Sequence, residues 1–151
     1  MPQNKQIAIW LFTCCFMISM MVVIGGLTRL TGSGLSMTDW HPIHGIIPPL
    51  NNIEWLEEFA NYKKSPEYQK INYGMSLDDF KSIFVLEYVH RIMGRITGII
   101  FLIPMLYFAF TKQLTKKLSL NLITIFILGG CQAVIGWFMV KSGLKDAPYV
   151  S

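Results

Sequence analysis

Three long stretches of the chain carry no charged residue and are rich in apolar side chains. They cover residues 6–28, 96–111 and 118–140, and an apolar lead-in at 82–86 precedes the second. A helix needs about 20 mainly apolar residues to cross roughly 30 Å of hydrocarbon, and each stretch reaches that length with its flanks. The pattern therefore predicts three transmembrane helices, over about 7–28, 83–111 and 118–140.

The connection between the first two spans, residues 29–82, has a different pattern. Over residues 51–81 it alternates charged positions with apolar ones at helical spacing, namely Ile53, Trp55, Leu56, Phe59 and Tyr62. Segments of this kind favour helices that lie at an interface, so we predict one or two short amphipathic helices in this loop. Ser76 with Asp78 and Asp79 behind it predicts the N-terminal cap of the helix that continues into the second span.

Composition supports an all-α integral membrane protein. Of the 151 residues, 52% are hydrophobic and only 15% are charged, and the mean hydropathy is +0.43. The first stretch is longer than the apolar core of a signal peptide and has no small-residue cleavage site, so we interpret it as a retained span. Cys14, Cys15 and Cys131 all lie inside predicted spans, which leaves the loop without an external disulfide.

The net charge of +4 follows topology and does not form a basic patch for nucleic acid. The short connection between spans two and three holds Lys112, Lys116 and Lys117 without an acid, whereas residues 29–81 hold more acids than bases. By the positive-inside rule, the N-terminus and the short connection face the cytoplasm, or the matrix of an organelle. The long loop then lies on the outer side.

The second span begins with a group of ionisable residues on one helical face. Glu87, His90 and Arg91 share this face with Gly94 and Gly98. Ionisable groups inside a bilayer usually face a partner, a cavity or a cofactor. An interfacial cluster with an i,i+4 Glu87–Arg91 pair would explain the charges. It would explain His90 less well, because a neutral imidazole does not help to anchor a helix to lipid headgroups. A neutral imidazole is, however, a common metal and heme ligand.

Two further segments have alternative interpretations. The exit of the first span, residues 25–37, combines glycines and hydroxyl side chains around Arg29. It is either a flexible helix end or a place where another backbone or a flat ligand comes close. Gly94 and Gly98 likewise favour close helix packing, or clearance for a planar macrocycle. His41 and His44 are spaced like a metal pair but lack a third ligand, so surface loop histidines are the simpler interpretation.

Taken together in their order and spacing, several motifs resemble heme A synthase of the proteobacterial and mitochondrial type. They are Gly25-Gly26-Leu27-Thr28-Arg29-Leu30-Thr31, Ser33-Gly34-Leu35-Ser36-Met37, Asp39-Trp40, Pro48-Pro49, Glu87-Tyr88-Val89-His90-Arg91, Gly94-Arg95 and Gly129-Gly130-Cys131-Gln132-Ala133-Val134-Ile135-Gly136-Trp137.

The resemblance implies an oxidoreductase that converts the C8 methyl group of heme O to a formyl group, which gives heme A for cytochrome oxidase. It implies that His90 is an axial ligand of the heme iron and that Glu87 is the catalytic acid. Arg29, Arg91 and Arg95 are then candidate partners of the heme propionates.

The family has eight spans in two four-helix halves, and its second half carries a heme b. This chain carries three spans, so we expect the incomplete first half of such a protein, inactive on its own. The resemblance implies the inner membrane of a bacterium or mitochondrion, and as partners heme O, heme O synthase, cytochrome oxidase assembly factors and membrane lipid. A homo-oligomer is a further candidate.

Two other functions remain open at this stage. One is a non-catalytic b-type heme protein that carries electrons or heme between partners. The other is a structural membrane subunit in which His90 and Glu87 pair with polar groups of other helices.

Overall fold

The structure is a computed structural model that describes residues 2–38 and 46–145. Within these residues there are five helices: α1 (Pro2–Leu30), α2 (Asn52–Tyr62), α3 (Pro66–Lys70), α4 (Leu77–Phe110) and α5 (Lys116–Gly143). Helices α1, α4 and α5 are long and apolar enough to cross a membrane. The prediction of an all-α membrane protein with three long helices and short helices in the connecting loop is therefore confirmed. His41 and His44 lie outside the described residues.

Side-chain caps determine where the helices of the connection begin. The Asn51 side chain accepts from the backbone N–H of Glu54 at α2, and Ser65 does the same for Tyr68 at α3. Ser76 accepts from the backbone N–H of Asp79, which confirms the predicted cap. These bonds satisfy amide groups that have no partner inside the helix. The cap at Ser76 also makes α4 begin before residue 83, the predicted start of the second span.

Helix α1 ends in a backbone motif that requires glycine. Gly32 has a φ of 61°, a left-handed conformation that glycine adopts without a steric penalty. The N–H of Ser33 then donates to the carbonyl of Thr28 at 2.9 Å, and the N–H of Gly32 donates to Arg29 at 3.2 Å. This is the Schellman pattern of helix termination. It turns the chain sharply, so that residues 33–37 fold back toward α4.

Helices α1 and α4 pack along each other, and their apolar contacts form a base cluster at the end remote from the long connection. Its buried members are Ile7, Trp10, Cys14, Phe101, Phe108 and Leu122. Pro104 lies inside α4 and cannot donate to the carbonyl of residue 100, four positions earlier. The Trp10 indole N–H donates to that carbonyl, Ile100 O, at 2.8 Å. A side chain of α1 thus replaces the backbone bond that α4 loses at its proline.

A second apolar cluster, the cap cluster, covers the opposite end of the bundle. Its buried members are Met37, Phe59, Tyr62, Phe80 and Phe84. The Phe80 ring stacks on Phe59 and on Tyr62, with centroid distances of 5.0 and 5.1 Å. Offset ring contacts of this kind add to the stabilisation from buried area. The short helices α2 and α3 are thereby held against the first turns of α4.

Helix α5 has few buried residues, and those are Leu122 and Gly143. Its last turn nevertheless positions the loop. A Cβ placed on Gly143 would lie 2.8 Å from both methyl carbons of Leu35, and Leu35 is fully buried. Any larger residue at position 143 would displace Leu35. This close contact holds the loop at the end of α5, and the next two residues of the loop, Ser36 and Met37, contact α4.

Candidate functional site

Glu87 is a buried carboxylate that accepts hydrogen bonds on both oxygens. It lies in α4, and 2% of its surface is exposed. Its Oε2 accepts from the Ser36 hydroxyl at 2.6 Å and from the Met37 backbone N–H at 2.8 Å. Its Oε1 accepts from the Arg91 guanidinium, which forms the i,i+4 ion pair. Burying a carboxylate is costly unless it is paired and hydrogen-bonded, and here both conditions are met.

Arg91 connects the same network to the loop. Besides its ion pair with Glu87, its Nη2 donates to the carbonyl of Met37 at 3.3 Å. Met37 therefore contributes its N–H to the carboxylate and its carbonyl to the guanidinium. Because neutral and charged donors converge on one carboxylate, the position of that carboxylate is fixed within the protein. The ion pair is the one that the sequence suggested as an alternative to a heme contact.

His90 lies one turn after Glu87 on α4, at the interface with α1, and is half-buried. A Cβ on Gly25 of α1 would lie 3.2 Å from Nε2 of the imidazole. That spacing is tighter than ordinary van der Waals contact, so glycine at this position keeps the nitrogen clear of α1. Of the two interpretations of the glycine-rich end of α1, the structure shows the close approach of another group at Gly25, and that group is the His90 imidazole.

The other candidate residues occupy different surroundings. Arg29 is exposed in the last turn of α1, and Arg95 is half-buried one turn beyond Arg91. A Cβ on Gly94 would make an ordinary contact with the Met21 methyl carbon of α1, at 3.5 Å, whereas none of the described residues lies within 4 Å of such an atom on Gly98. Gly94 thus takes part in helix packing. The face below it is open at Gly98.

A second buried carboxyl group lies beneath the cap cluster. Glu67, in α3, has 3% of its surface exposed, and burial raises the pKa of its carboxyl group to about 7. The Tyr62 hydroxyl of α2 accepts from the Asn72 side-chain amide at 2.8 Å. The burial of Glu67 is not predictable from the sequence, because its spacing in a charged loop is that of an ordinary surface acid. Ser36 and Met37 were part of a motif, but their contacts with Glu87 were not predicted.

A heme would be compatible with this arrangement on three grounds. The imidazole packs closely against a glycine of α1, a carboxylate is fixed one turn away, and the helix surface beyond has no neighbour within 4 Å at Gly98 among the described residues. Iron in heme needs only axial ligands from the protein, and a histidine is a common one. Among residues 2–38 and 46–145, no group of three or more His, Cys, Asp or Glu side chains could hold a bare metal ion.

Fold and site together define a helical membrane protein with a buried carboxylate and a half-buried imidazole on one face of a long helix. Comparison with known proteins then identifies the family. Residues 8–151 match the model of the COX15-CtaA family, described as cytochrome oxidase assembly protein. The chain belongs to this family.

Individual relatives agree with the family assignment. The chain is 53% identical over 148 residues to a heme A synthase of Paramagnetospirillum magneticum, covering 98% of this chain and 42% of that protein. It is 50% identical over 151 residues to a heme A synthase of Anaplasma marginale strain Florida, covering all of this chain and 44% of the relative. The chain thus spans less than half the length of these relatives. No solved structure matches it.

Proposed function

We propose that this chain forms the substrate-heme site of a heme A synthase, which oxidises the C8 methyl group of heme O to a formyl group. The observation that carries the proposal is the pairing of Glu87 and His90 on one face of α4. The first is held by Ser36, Met37 and Arg91, and the second faces a glycine. The relatives that share about half of its residues are themselves called heme A synthases.

In this proposal, each residue has a role that its surroundings support. His90 would ligate the iron of the substrate heme through its imidazole, which packs against Gly25 of α1. Glu87 accepts and releases protons close to the oxidised methyl group, because a carboxyl group fixed by several donors is preorganised for that task. Converting the methyl group to a formyl group removes four electrons and adds one oxygen atom, so the full protein would need an external electron acceptor and an oxygen source, and the heme iron would supply the redox chemistry between them.

The arginines divide between two tasks. Arg91 holds Glu87 in place through the ion pair, and its contact with Met37 couples that pair to the loop. Arg29 and Arg95 are the candidates for contact with heme propionates, for which arginine geometry is well suited. We further propose an inner-membrane location with the N-terminus inside, on the charge distribution of the loops. We also propose that the second half of the full-length protein binds a heme b. The proposed partners are heme O synthase and cytochrome oxidase assembly factors, and a homo-oligomer is a further candidate.

The test is pigment analysis of membranes that contain the full-length protein and are supplied with heme O. We expect heme A to form, and we expect His90→Ala to lose the bound substrate heme, measured as the Soret absorbance and by extraction. Tyr73→Ala is the matched control, because Tyr73 is 83% exposed in the loop. It should behave as the parent does.

The alternatives give different pigments. An electron carrier or heme carrier would contain heme B alone and form no heme A. A structural subunit would contain no pigment that depends on His90. Either result would overturn the proposed function.

A further inference from the structure

We propose that Leu35 and Gly143 position the Glu87 carboxylate through a linking segment, residues 33–37, which carries two of its hydrogen-bond donors. The last turn of α5 thereby sets the position of a catalytic group on α4. This inference rests on the proposed function, because it is there that Glu87 acts on the bound heme. Leu35 and Gly143 offer no polar side-chain atom to Glu87, so both are positioning residues that act through the linking segment.

The linking segment is attached to all three long helices. The N–H of Ser33 donates to a carbonyl of α1 at 2.9 Å, and Leu35 packs against Gly143 in the last turn of α5. The N–H of Met37 donates to the Glu87 carboxylate of α4 at 2.8 Å. Because planar peptide groups join these residues in sequence, a displacement of Leu35 also moves the donors that follow it.

Helix α5 reaches the linking segment through a buried contact. The buried residues of α5 are Leu122, which belongs to the base cluster, and Gly143 near the opposite end of the helix. Leu35 is fully buried as well. The contact between Leu35 and Gly143 is therefore the buried attachment of α5 on the side of the bundle that carries Glu87.

This contact leaves no room for a side chain at position 143. A Cβ on Gly143 would lie 2.8 Å from both methyl carbons of Leu35 and 3.4 Å from its Cγ, whereas carbon atoms pack best at about 3.5–4.0 Å. Leu35 has no exposed surface, so its side chain cannot turn away into solvent. A larger residue at position 143 would therefore push Leu35 and shift the backbone that carries it.

The end of the linking segment at Glu87 is sensitive to such a shift. Ser36 and Met37 both donate to Oε2 of Glu87, at 2.6 and 2.8 Å, and the carbonyl of Met37 accepts from Arg91 at 3.3 Å. These contacts come from adjacent residues, so one displacement changes them together. Catalytic groups have to be held within about 0.5 Å of their productive geometry. The packing of a glycine on α5 thus bears on the reaction at α4.

The test compares two alanine variants of α5 in the full-length protein supplied with heme O. Gly143→Ala should form heme A at least about tenfold more slowly, because a misplacement of about 1 Å can cost about a hundredfold in rate. Bound heme O, measured at the Soret band, should equal that of the parent, because the His90 imidazole packs against α1. Gly130→Ala is the matched control and should keep the parent rate. It adds the same methyl group to the same helix, where none of the described residues lies within 4 Å.

A second substitution tests whether Leu35 transmits the effect. Leu35→Ala removes Cγ and both methyl carbons, which are the atoms that a Cβ at position 143 would meet. Effects of residues in contact are not additive, so the double variant with Leu35→Ala and Gly143→Ala should form heme A faster than Gly143→Ala alone. If Gly143→Ala does not accumulate in the membrane, Leu35→Ala alone should still form heme A more slowly than the parent with heme O bound, because the linking segment loses its packing.

Another readout does not depend on activity. It is the infrared absorption of the Glu87 carboxyl group, assigned as the bands that Glu87→Gln lacks. These bands respond to the hydrogen bonds that the group accepts. They should therefore shift in Gly143→Ala, return in the double variant and stay unchanged in Gly130→Ala.

The outcomes separate the two proposals. A parent protein that forms no heme A contradicts the proposed function, and the infrared shift then decides the positioning contact by itself. If the parent forms heme A but Gly143→Ala keeps its rate or its Glu87 bands, or if the double variant is slower than Gly143→Ala, then Leu35 and Gly143 do not position Glu87 and the proposed function stands. A loss of bound heme O in Gly143→Ala would also contradict the positioning role, because the contact would then act on heme binding.

Discussion

The two apolar clusters at opposite ends of the bundle differ in the polar groups that they surround. The base cluster, around Trp10 and Phe108, surrounds one interhelical hydrogen bond, from the Trp10 indole to Ile100. The cap cluster, around Phe80, includes Met37, whose backbone N–H donates to the buried carboxylate of Glu87. Every buried polar or charged side chain among the described residues falls between positions 28 and 87. The base cluster therefore serves stability, and the cap cluster also keeps water from a polar site.

The strongest way to test this division is to remove one ring from each cluster. Phe80→Ala and Phe108→Ala should each cost about 3–5 kcal/mol of unfolding free energy, because both rings are buried. Only Phe80→Ala should also admit water beside Glu87 and abolish heme A formation in the molecules that remain folded. Thermal unfolding and heme extraction measure the two effects. Equal losses of activity per folded molecule would contradict the comparison.

A smaller change removes one donor from Glu87. Ser36→Ala leaves Oε2 with the Met37 N–H alone, and losing a hydrogen bond to a charged group costs about 1.5–3 kcal/mol. We expect slower heme A formation with the heme still bound. Ser82→Ala is the control, because Ser82 is exposed on α4 and its hydroxyl donates to the carbonyl of Asp78 in its own helix. An unchanged rate in Ser36→Ala would show that the loop does not position Glu87.

The contact between α1 and His90 can be tested at the neighbouring glycines. Gly25→Ala places a Cβ 3.2 Å from Nε2 of His90, whereas Gly26→Ala meets nothing within 4 Å among the described residues. Overpacking of about 1–3 kcal/mol would weaken heme binding roughly 5- to 150-fold in Gly25→Ala. Heme titration followed at the Soret band measures it. Equal affinities in the two variants would remove Gly25 from the site.

The smallest effect should come from removing the hydrogen bond between Trp10 and Ile100 in the base cluster. Trp10→Phe keeps a ring but leaves the Ile100 carbonyl without its donor, at a cost of about 1–3 kcal/mol. Because this bond lies far from Glu87, heme A formation per folded molecule should match the parent. A lower thermal midpoint with unchanged activity is the expected result. Lost activity would mean that the bond between Trp10 and Ile100 also positions the site.

Much of the fold follows from local patterns. Uncharged stretches of sufficient length predict α1, α4 and α5, and the Ser76 cap follows from a side chain and an amide three residues apart. Helical periodicity also brings Glu87, His90 and Arg91 to one face without any tertiary information. These features depend on neighbours in the chain, so sequence alone contains them.

The completed site depends on distant pairs. Ser36 and Glu87 are 51 positions apart, and no periodicity relates a loop hydroxyl to a carboxylate on another helix. Their contact needs the left-handed turn at Gly32 and the seat of Leu35 against Gly143. The burial of Glu67 is likewise not predictable from the sequence. It depends on how α3 packs against the aromatic rings of the cap cluster. The glycine-rich exit of α1 does indicate that another group could come close, but the sequence does not identify that group as His90.

The most direct measurement concerns Glu87→Gln in the full-length protein, since glutamine keeps the shape of the side chain and an oxygen that accepts from Ser36 and Met37. Absorption spectra and extracted pigments are recorded from the same membranes. The account predicts a Soret band equal to that of the parent, with heme O retained and heme A absent. Heme A at the level of the parent would contradict it.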